Sequence, residues 1–356
     1  MDQKQKESPA SLATDRREFL AQAATVAAGA TVLAGTAGSV SAAQSSHATT
    51  ERLPMRAFGK SGERVSILGL GGYTLGQPAS YDVAAQIVRE ALDAGVTFFD
   101  NAWDYHQGKS EEWMGKALKG HRDKVFLMTK VCTHGRDKKV AMRQLEDSLR
   151  RLQTDHLDLW QVHEVIYYND PELAHARDGV VEALTEAKQQ GKTHYVGFTG
   201  HKDPAIHLDM LSRGYPFDAV QMPLNPFDAT YRSFEKQVLP EVLRRGMAAL
   251  GMKSMGGGGE PLLQGAVTPE EALRYALSLP VTVTISGMDA VSVLRQNLSV
   301  ARGFTPLADH QMQALRHRCA PLAADGHLEL YKSSTKYDGD VGREQHGFPS
   351  SKDLPL

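Results

Sequence analysis

From Val65 to Ala301 the chain alternates short apolar runs with longer stretches that are apolar on one side only. Val65–Leu70 is β-branched and aliphatic and closes on Gly71-Gly72, the mark of a buried strand. Asp82–Ala94 then places Val83, Ile87, Val88, Ala91 and Leu92 at helical spacing and stops at Gly95. Strand Thr97–Phe99, helix Ser110–Leu118, strand Val125–Thr129 and helix Lys138–Leu152 repeat the pattern. Strand Leu157–Val162 precedes one long helix, expected from Pro171 to Gln190 and ended by Gly191. The series runs on through strand Thr193–Phe198, helix Pro204–Ser212, strand Ala219–Met222, helix Tyr231–Arg244 and strand Met247–Met252. Helix Pro269–Leu277, strand Val281–Ile285 and helix Ala290–Ala301 complete it. Ahead of the series, Met55–Phe58 and Val65–Leu68 flank Gly59-Lys-Ser-Gly62, which predicts a short hairpin.

Eight strand–helix units, each of about 30 residues, predict a parallel sheet covered by helices. Eight units in roughly 250 residues close into a (β/α)8 TIM barrel, here an α/β fold with a short N-terminal β-hairpin and a C-terminal extension. No G-x-G-x-x-G follows the first strand, which argues against a doubly wound dinucleotide fold. The barrel is assigned to residues 53–320. Residues 321–356 turn polar and lose periodicity, and are expected to be a loop over the barrel or a tail of mixed order.

The N-terminus changes the picture. Residues 1–43 run from a polar start through Arg16-Arg-Glu-Phe-Leu20 into an Ala/Gly/Thr-rich stretch that ends at Ser41-Ala-Ala43. That is the layout of an export signal of the twin-arginine type, so the Tat translocation machinery is an expected partner and the periplasm, or export in general, the expected location. A disordered tail and an uncleaved anchor are the other readings. Gln22 and several threonines and glycines make the stretch a poor spanning helix, so no stable membrane insertion is expected. Residues 44–52 read as a linker.

At 356 residues with 41% hydrophobic content the chain can bury a full core, and a formal charge of −2 implies no nucleic-acid partner. The two cysteines, Cys132 and Cys319, lack metal-ligand spacing and are read as free thiols, with a single bridge between them as the alternative; no metal is expected.

Candidate chemistry collects at successive strand ends. Asp100 closes the second strand with Tyr105 in the loop behind it, Lys130 closes the third and His163 the fourth. Neighbouring strands of a barrel deliver such groups to one mouth. A lysine ammonium near a phenol favours the phenolate and eases proton donation, and Asp100 is a suitable partner for a buried lysine. His163 can orient a carbonyl oxygen. Structural ion pairs and a satisfied core histidine are the alternatives for each group taken alone. Trp103 lies between Asp100 and Tyr105 and is the candidate for the substrate pocket, with core packing as the alternative.

These segments resemble the aldo-keto reductase superfamily over nearly all of residues 53–305. The resemblance rests on Gly95-Val-Thr-Phe-Phe-Asp100 with Tyr105, Ser110-Glu-Glu-Trp-Met-Gly115, Thr129-Lys130, Asp158-Leu-Trp-Gln-Val-His163 and Val196-Gly-Phe-Thr199. It implies a carbonyl substrate reduced, or an alcohol oxidised, with NADP or NAD. Tyr105 would be the general acid/base, Lys130 and Asp100 would tune it, and His163 would orient the substrate. It also implies cofactor contacts at Thr199, Gln221, Met252, Lys253, Ser254, Gly256, Gly257, Gly287 and Asn297. Gly200 stands where the family has Asn, Met252 where Tyr commonly stacks, and Val293 where an arginine grips the 2′-phosphate of NADP. Neither dinucleotide is therefore preferred. A Schiff base on Lys130, or a cofactor-binding sensor or accessory subunit with little turnover, are the competing functions.

Overall fold

The computed structural model describes residues 52–133, 136–345 and 347–350. The expected leader, residues 1–43, lies outside the described residues.

Two short strands, β1 (Met55–Ala57) and β2 (Arg64–Ser66), form an antiparallel hairpin. The barrel begins with β3 (Leu68–Gly71), followed by α1 (Gly72–Leu75) and α2 (Tyr81–Asp93). The next units are β4 (Phe98–Asp100) with α3 (Lys109–Ala117), and β5 (Phe126–Val131) with α4 (Lys138–Leu152). Then come β6 (Leu157–Val162), α5 (Asp170–His175), α6 (Val180–Gln189), β7 (Thr193–Thr199) and α7 (Pro204–Ser212). The second half holds β8 (Ala219–Pro223), α8 (Phe234–Gln237), α9 (Leu239–Arg245), β9 (Ala248–Met252), α10 (Pro269–Ser278), β10 (Val283–Gly287) and α11 (Val291–Arg302). Three further helices follow: α12 (Asp309–Ala323), α13 (Leu330–Ser333) and α14 (Asp340–Gln345). Strands β3 to β10 close into one parallel barrel, in chain order, with β10 beside β3. Among the described residues no helix is long and apolar enough to cross a membrane.

The period of two along each strand separates two cores. Phe98, Phe126, Met128, Leu159, Leu250, Val283 and Ile285 fill the barrel interior. The alternate positions, such as Phe99, Leu127, Trp160 and Val220, pack outward beneath the helices. The hairpin plugs the end where the strands start: the Phe58 ring lies 4.6 Å from Phe126 and 5.2 Å from Tyr195. The other end, where the strands finish, is the mouth.

Four expectations need correction. The predicted strand Val65–Leu70 is divided at Ile67, with β2 in the hairpin and β3 in the barrel. The predicted helix Pro171–Gln190 is two helices, because the chain turns at Asp178 (φ 58°) and Gly179. A Cβ at Gly179 would lie 2.7 Å from two carbonyl oxygens, so only glycine fits that turn. The predicted helix Tyr231–Arg244 starts later, at the Ser233 cap, and is interrupted before Pro240 opens α9. The described residues past Pro321 are more than a loop: α12 runs through Pro321, and Tyr331 and Lys332 of α13 are fully buried. Cys132 and Cys319 are free and buried.

Candidate active site

The inward parity of each strand, followed from the bottom plug to the mouth, passes from apolar to polar. On β4 it leads from Phe98 to Asp100, on β5 from Phe126 and Met128 to Lys130, and on β6 from Leu159 to Gln161 and His163. The strands fix the heights, since Lys130 is directly opposite Gln161 and Val131 opposite Val162. At the strand ends the ladder carries on into the loops: Trp103 N–H donates to Lys130 O (3.1 Å) and His163 N–H to Val131 O (3.0 Å).

Lys130 is wholly buried and its ammonium is fully used. It donates to the Asp100 carboxylate, to Asn101 O at 2.7 Å and to Tyr105 Oη at 3.3 Å. The Tyr105 ring stands edge-on to His163 at 5.6 Å and to Tyr73 at 5.3 Å. The structure thus brings Asp100, Tyr105, Lys130 and His163 together. Gly72 makes room for this corner, because a Cβ there would lie 2.4 Å from Asp100 O. One electrostatic expectation is reversed in balance. Burial, followed by the charges of Asp100, Asp104 and Glu164, pushes the Tyr105 phenol well above its ordinary pKa. The Lys130 ammonium, 3.3 Å from the phenol oxygen, favours the phenolate against that shift.

Beside the four lie groups that sequence reasoning passed over. Asp104 Oδ1 stands 3.3 Å from His163 Nδ1. The buried Glu164 carboxyl, pushed up to about 7 by burial, accepts from Gly339 N–H at 3.0 Å. The buried Arg136 guanidinium gathers the backbone here: it donates to Thr133 O (2.6 Å), His163 O (3.0 Å) and Glu164 O (2.9 Å) and pairs with Asp170 at 3.2 Å. Gln161 is buried with neither amide atom hydrogen-bonded. Its position two residues before His163, on the same strand face, was the available signal.

The expected cofactor residues divide into two sets. Thr199 and Gln221 are buried and face each other across β7 and β8. Gln221 Oε1 has no hydrogen-bond partner, and with the Gln161 amide it leaves polar valence free inside the barrel mouth. A carboxamide is the kind of group that would satisfy it. Met252 ends β9 and Gly287 ends β10; a Cβ at Gly287 would press on Thr74 at 2.6 Å. Lys253 carries its ammonium over the Tyr337 ring at 4.6 Å and the Tyr331 ring at 5.5 Å. Burial lowers its pKa to about 8. Ser254 is buried beside it.

The glycine run is partly taken up by the chain itself. Gly258 N–H donates to Tyr337 Oη at 2.5 Å, and a Cβ at Gly257 would meet that oxygen at 2.7 Å. At the glycines where the resemblance implies cofactor contacts, a tyrosine of the C-terminal segment lies against the backbone. Asn297 donates from its amide nitrogen to Ser286 Oγ at 3.1 Å. Trp103, the candidate for the substrate pocket, is half-buried. Its indole donates to Asp147 at 3.4 Å and lies under Arg151 at 5.4 Å, both on helix α4.

Comparison with known proteins agrees with this architecture. The aldo-keto reductase YhdN of Bacillus subtilis is 32% identical over 193 residues, 50% of this chain and 55% of that one. The L-galactose dehydrogenase of Arabidopsis thaliana is 32% identical over 162 residues, 42% of this chain and 49% of that one. The match thus spans about half the length of these two relatives. Among solved structures, the holo form of aldo-keto reductase AKR11C1 from Bacillus halodurans superposes with a TM-score of 0.65 at 26% identity, over 78% of this chain and 99% of that one. Residues 67–271, more than half of the chain, match the Aldo/keto reductase family, and the chain belongs to that family.

Proposed function

We propose that the chain is an NAD(P)-dependent oxidoreductase that interconverts an aldehyde or ketone with the alcohol, Tyr105 serving as general acid/base. The observation that carries this reading is the Lys130 ammonium shared between Asp100 and Tyr105 Oη, at 3.3 Å from the latter, at the mouth of the barrel. Bound at that mouth, a nicotinamide dinucleotide would supply or accept the hydride. Thr199, Gln221 and Gln161 are placed to hold its carboxamide, and Lys253 to meet its phosphates. The remaining work belongs to the protein. In reduction Tyr105 gives its proton to the carbonyl oxygen as hydride reaches carbon; in oxidation it takes the hydroxyl proton back. Lys130, 3.3 Å away, stabilises the phenolate left behind, and Asp100 keeps the buried ammonium charged. The His163 ring, edge-on to the phenol, is placed to hold the same oxygen.

Tyr105→Phe removes one oxygen and keeps the packing. The expected result is a loss of turnover by about two to four orders of magnitude with NADH or NADPH affinity within about twofold. Stopped-flow hydride transfer and quenching of protein fluorescence measure the two. Retained turnover would refute the assignment. A second reading is a cofactor-binding subunit with little turnover. It predicts dinucleotide binding by the unaltered chain with no oxidation across a panel of carbonyls and alcohols.

A further inference from the structure

Neither cysteine has a metal-binding partner nearby in sequence, and on that ground no metal was expected. Three dimensions change this. Cys132 is the first residue past β5, and the two loop–strand hydrogen bonds Trp103 N–H to Lys130 O (3.1 Å) and His163 N–H to Val131 O (3.0 Å) draw the flanking loops against it. Gln144 of α4 grips Cys132 from both sides, accepting from its N–H (2.8 Å) and donating to its carbonyl (2.7 Å). The result is a cluster of three ligand-type atoms, one each from Asp104, Cys132 and His163, all within 4.8 Å of one another.

Two features separate this cluster from an ordinary ion pair. Asp104 Oδ1 and His163 Nδ1 are buried and lie 3.3 Å apart, an ion-pair contact longer than an ordinary N–H···O hydrogen bond. That spacing is the one a tetrahedral ion imposes: ligands bound at about 2.05 Å stand about 3.3 Å from each other. For the whole set, atoms within 4.8 Å of one another have a common centre no more than about 2.8 Å from each. Bond lengths of about 2.0–2.3 Å then require each ligand to move in by roughly half an ångström. All three side chains must contribute, Asp104 with the most room because its side chain keeps 17% of its exposure, and Cys132 by rotation on a backbone that Gln144 holds.

We propose that Asp104, Cys132 and His163 form a binding site for a zinc-class divalent ion. One carboxylate, one thiolate and one imidazole make a borderline-soft set suited to Zn²⁺ or Co²⁺ and poor for Mg²⁺ or Ca²⁺. Three protein ligands leave the fourth tetrahedral position open. Binding breaks the Cys132 S–H bond, forms the metal–sulfur bond and releases one proton to solvent. It also commits Nδ1 of His163 to the ion, leaving Nε2 as the only N–H of that ring.

The test is a cobalt titration of the full chain, stripped with chelator and kept reduced. The site predicts one equivalent of Co²⁺, a near-ultraviolet thiolate-to-cobalt charge-transfer band, and loss of that band when Zn²⁺ is added. Cys132→Ser should abolish the band, whereas Cys319→Ser should retain it. Asp104→Asn, at the partly exposed ligand, should weaken cobalt binding at least tenfold with the band still present. Near-ultraviolet circular dichroism establishes that each variant is folded, and should Cys132→Ser fail that check, Asp104→Asn decides alone. No band at saturating cobalt, a band that survives in folded Cys132→Ser, or unchanged affinity in Asp104→Asn would each overturn the site. Turnover enters none of these readouts, so they stand or fall apart from the role of Tyr105.

Discussion

The C-terminal segment is held to the barrel by a buried charge cluster, and replacing its cation gives a measurable forecast. Lys332 is fully buried, with its ammonium 2.6 Å from Asp228 Oδ1, 2.9 Å from Glu329 Oε1 and 2.6 Å from Tyr231 O. Burial raises the pKa of both carboxyls, and Lys332 is the principal opposing influence. Lys332→Met keeps the stem and removes the charge. Asp228 would still accept from Phe234 N–H (3.2 Å) and Glu235 N–H (2.9 Å). Glu329 is worse placed: Tyr331 Oη donates to Oε1 at 2.5 Å, and Oε2 is buried without a hydrogen bond. Glu329 is therefore the group that would take up a proton.

Doing so at pH 7 from an ordinary glutamate pKa costs about 4 kcal/mol, which agrees with the roughly 3–5 kcal/mol for breaking a buried pair. At pH 5 the same step costs about 1 kcal/mol. The sign follows from linkage. With the Glu329 pKa in the folded variant above its unfolded value, the penalty is absent below the unfolded pKa and grows as pH rises. Urea unfolding followed by circular dichroism at both pH values tests this, unless the segment detaches first. Amide exchange across 330–345 would then carry the loss. Pairing Lys332→Met with Glu329→Gln should recover most of the stability at pH 7. A loss under about 1 kcal/mol at pH 7, or an equal loss at both pH values, would refute the reasoning.

Two further outcomes follow from the site. Arg136→Met takes a charged donor from three backbone carbonyls and the opposing charge from the buried Asp170, which keeps the Ile166 and Tyr167 N–H groups, so it should lower stability by about 3 kcal/mol. With His163 loosened, kcat/KM should fall at least about tenfold while dinucleotide affinity changes less than about twofold; equal losses in both would remove the positioning role. Lys253, with its pKa lowered to about 8 by burial, should lose its charge as pH rises, so the Kd for NADH should increase by about five- to tenfold between pH 7 and 9. A fluorescence titration in which Lys253→Met shows the same slope would contradict this.

Local pattern carried much of the architecture. The eight barrel strands and their order were legible, because most are compact apolar runs closed by glycine or a polar residue and the helices between them are apolar on one side; the 15-residue α12 was not legible. The predicted span Lys138–Leu152 coincides with α4, whose start Asp137 caps at 2.7 Å on Val140 N–H. Expectations failed where a non-local contact decides the backbone. Gly179 looks helix-compatible in sequence, yet it sits among carbonyls that exclude a side chain. Residues 324–345 look like a polar tail, because Tyr331 and Lys332 reach burial only through partners at Asn225, Asp228 and Tyr231, more than 100 positions away.

The sequence by itself determined that Asp100, Lys130 and His163 would stand at one end of the barrel, since strand ends in a parallel barrel share a mouth. It also determined which of their neighbours face inward, because side chains alternate along a strand. Only the tertiary structure decided the state of those groups. Burial and three carboxylates push the Tyr105 phenol up, Tyr337 occupies Gly258 N–H, and Asp104 and Cys132 meet His163. Charge and desolvation depend on every group within a few ångströms, and those groups come from loops whose distance along the chain says nothing of their distance in space.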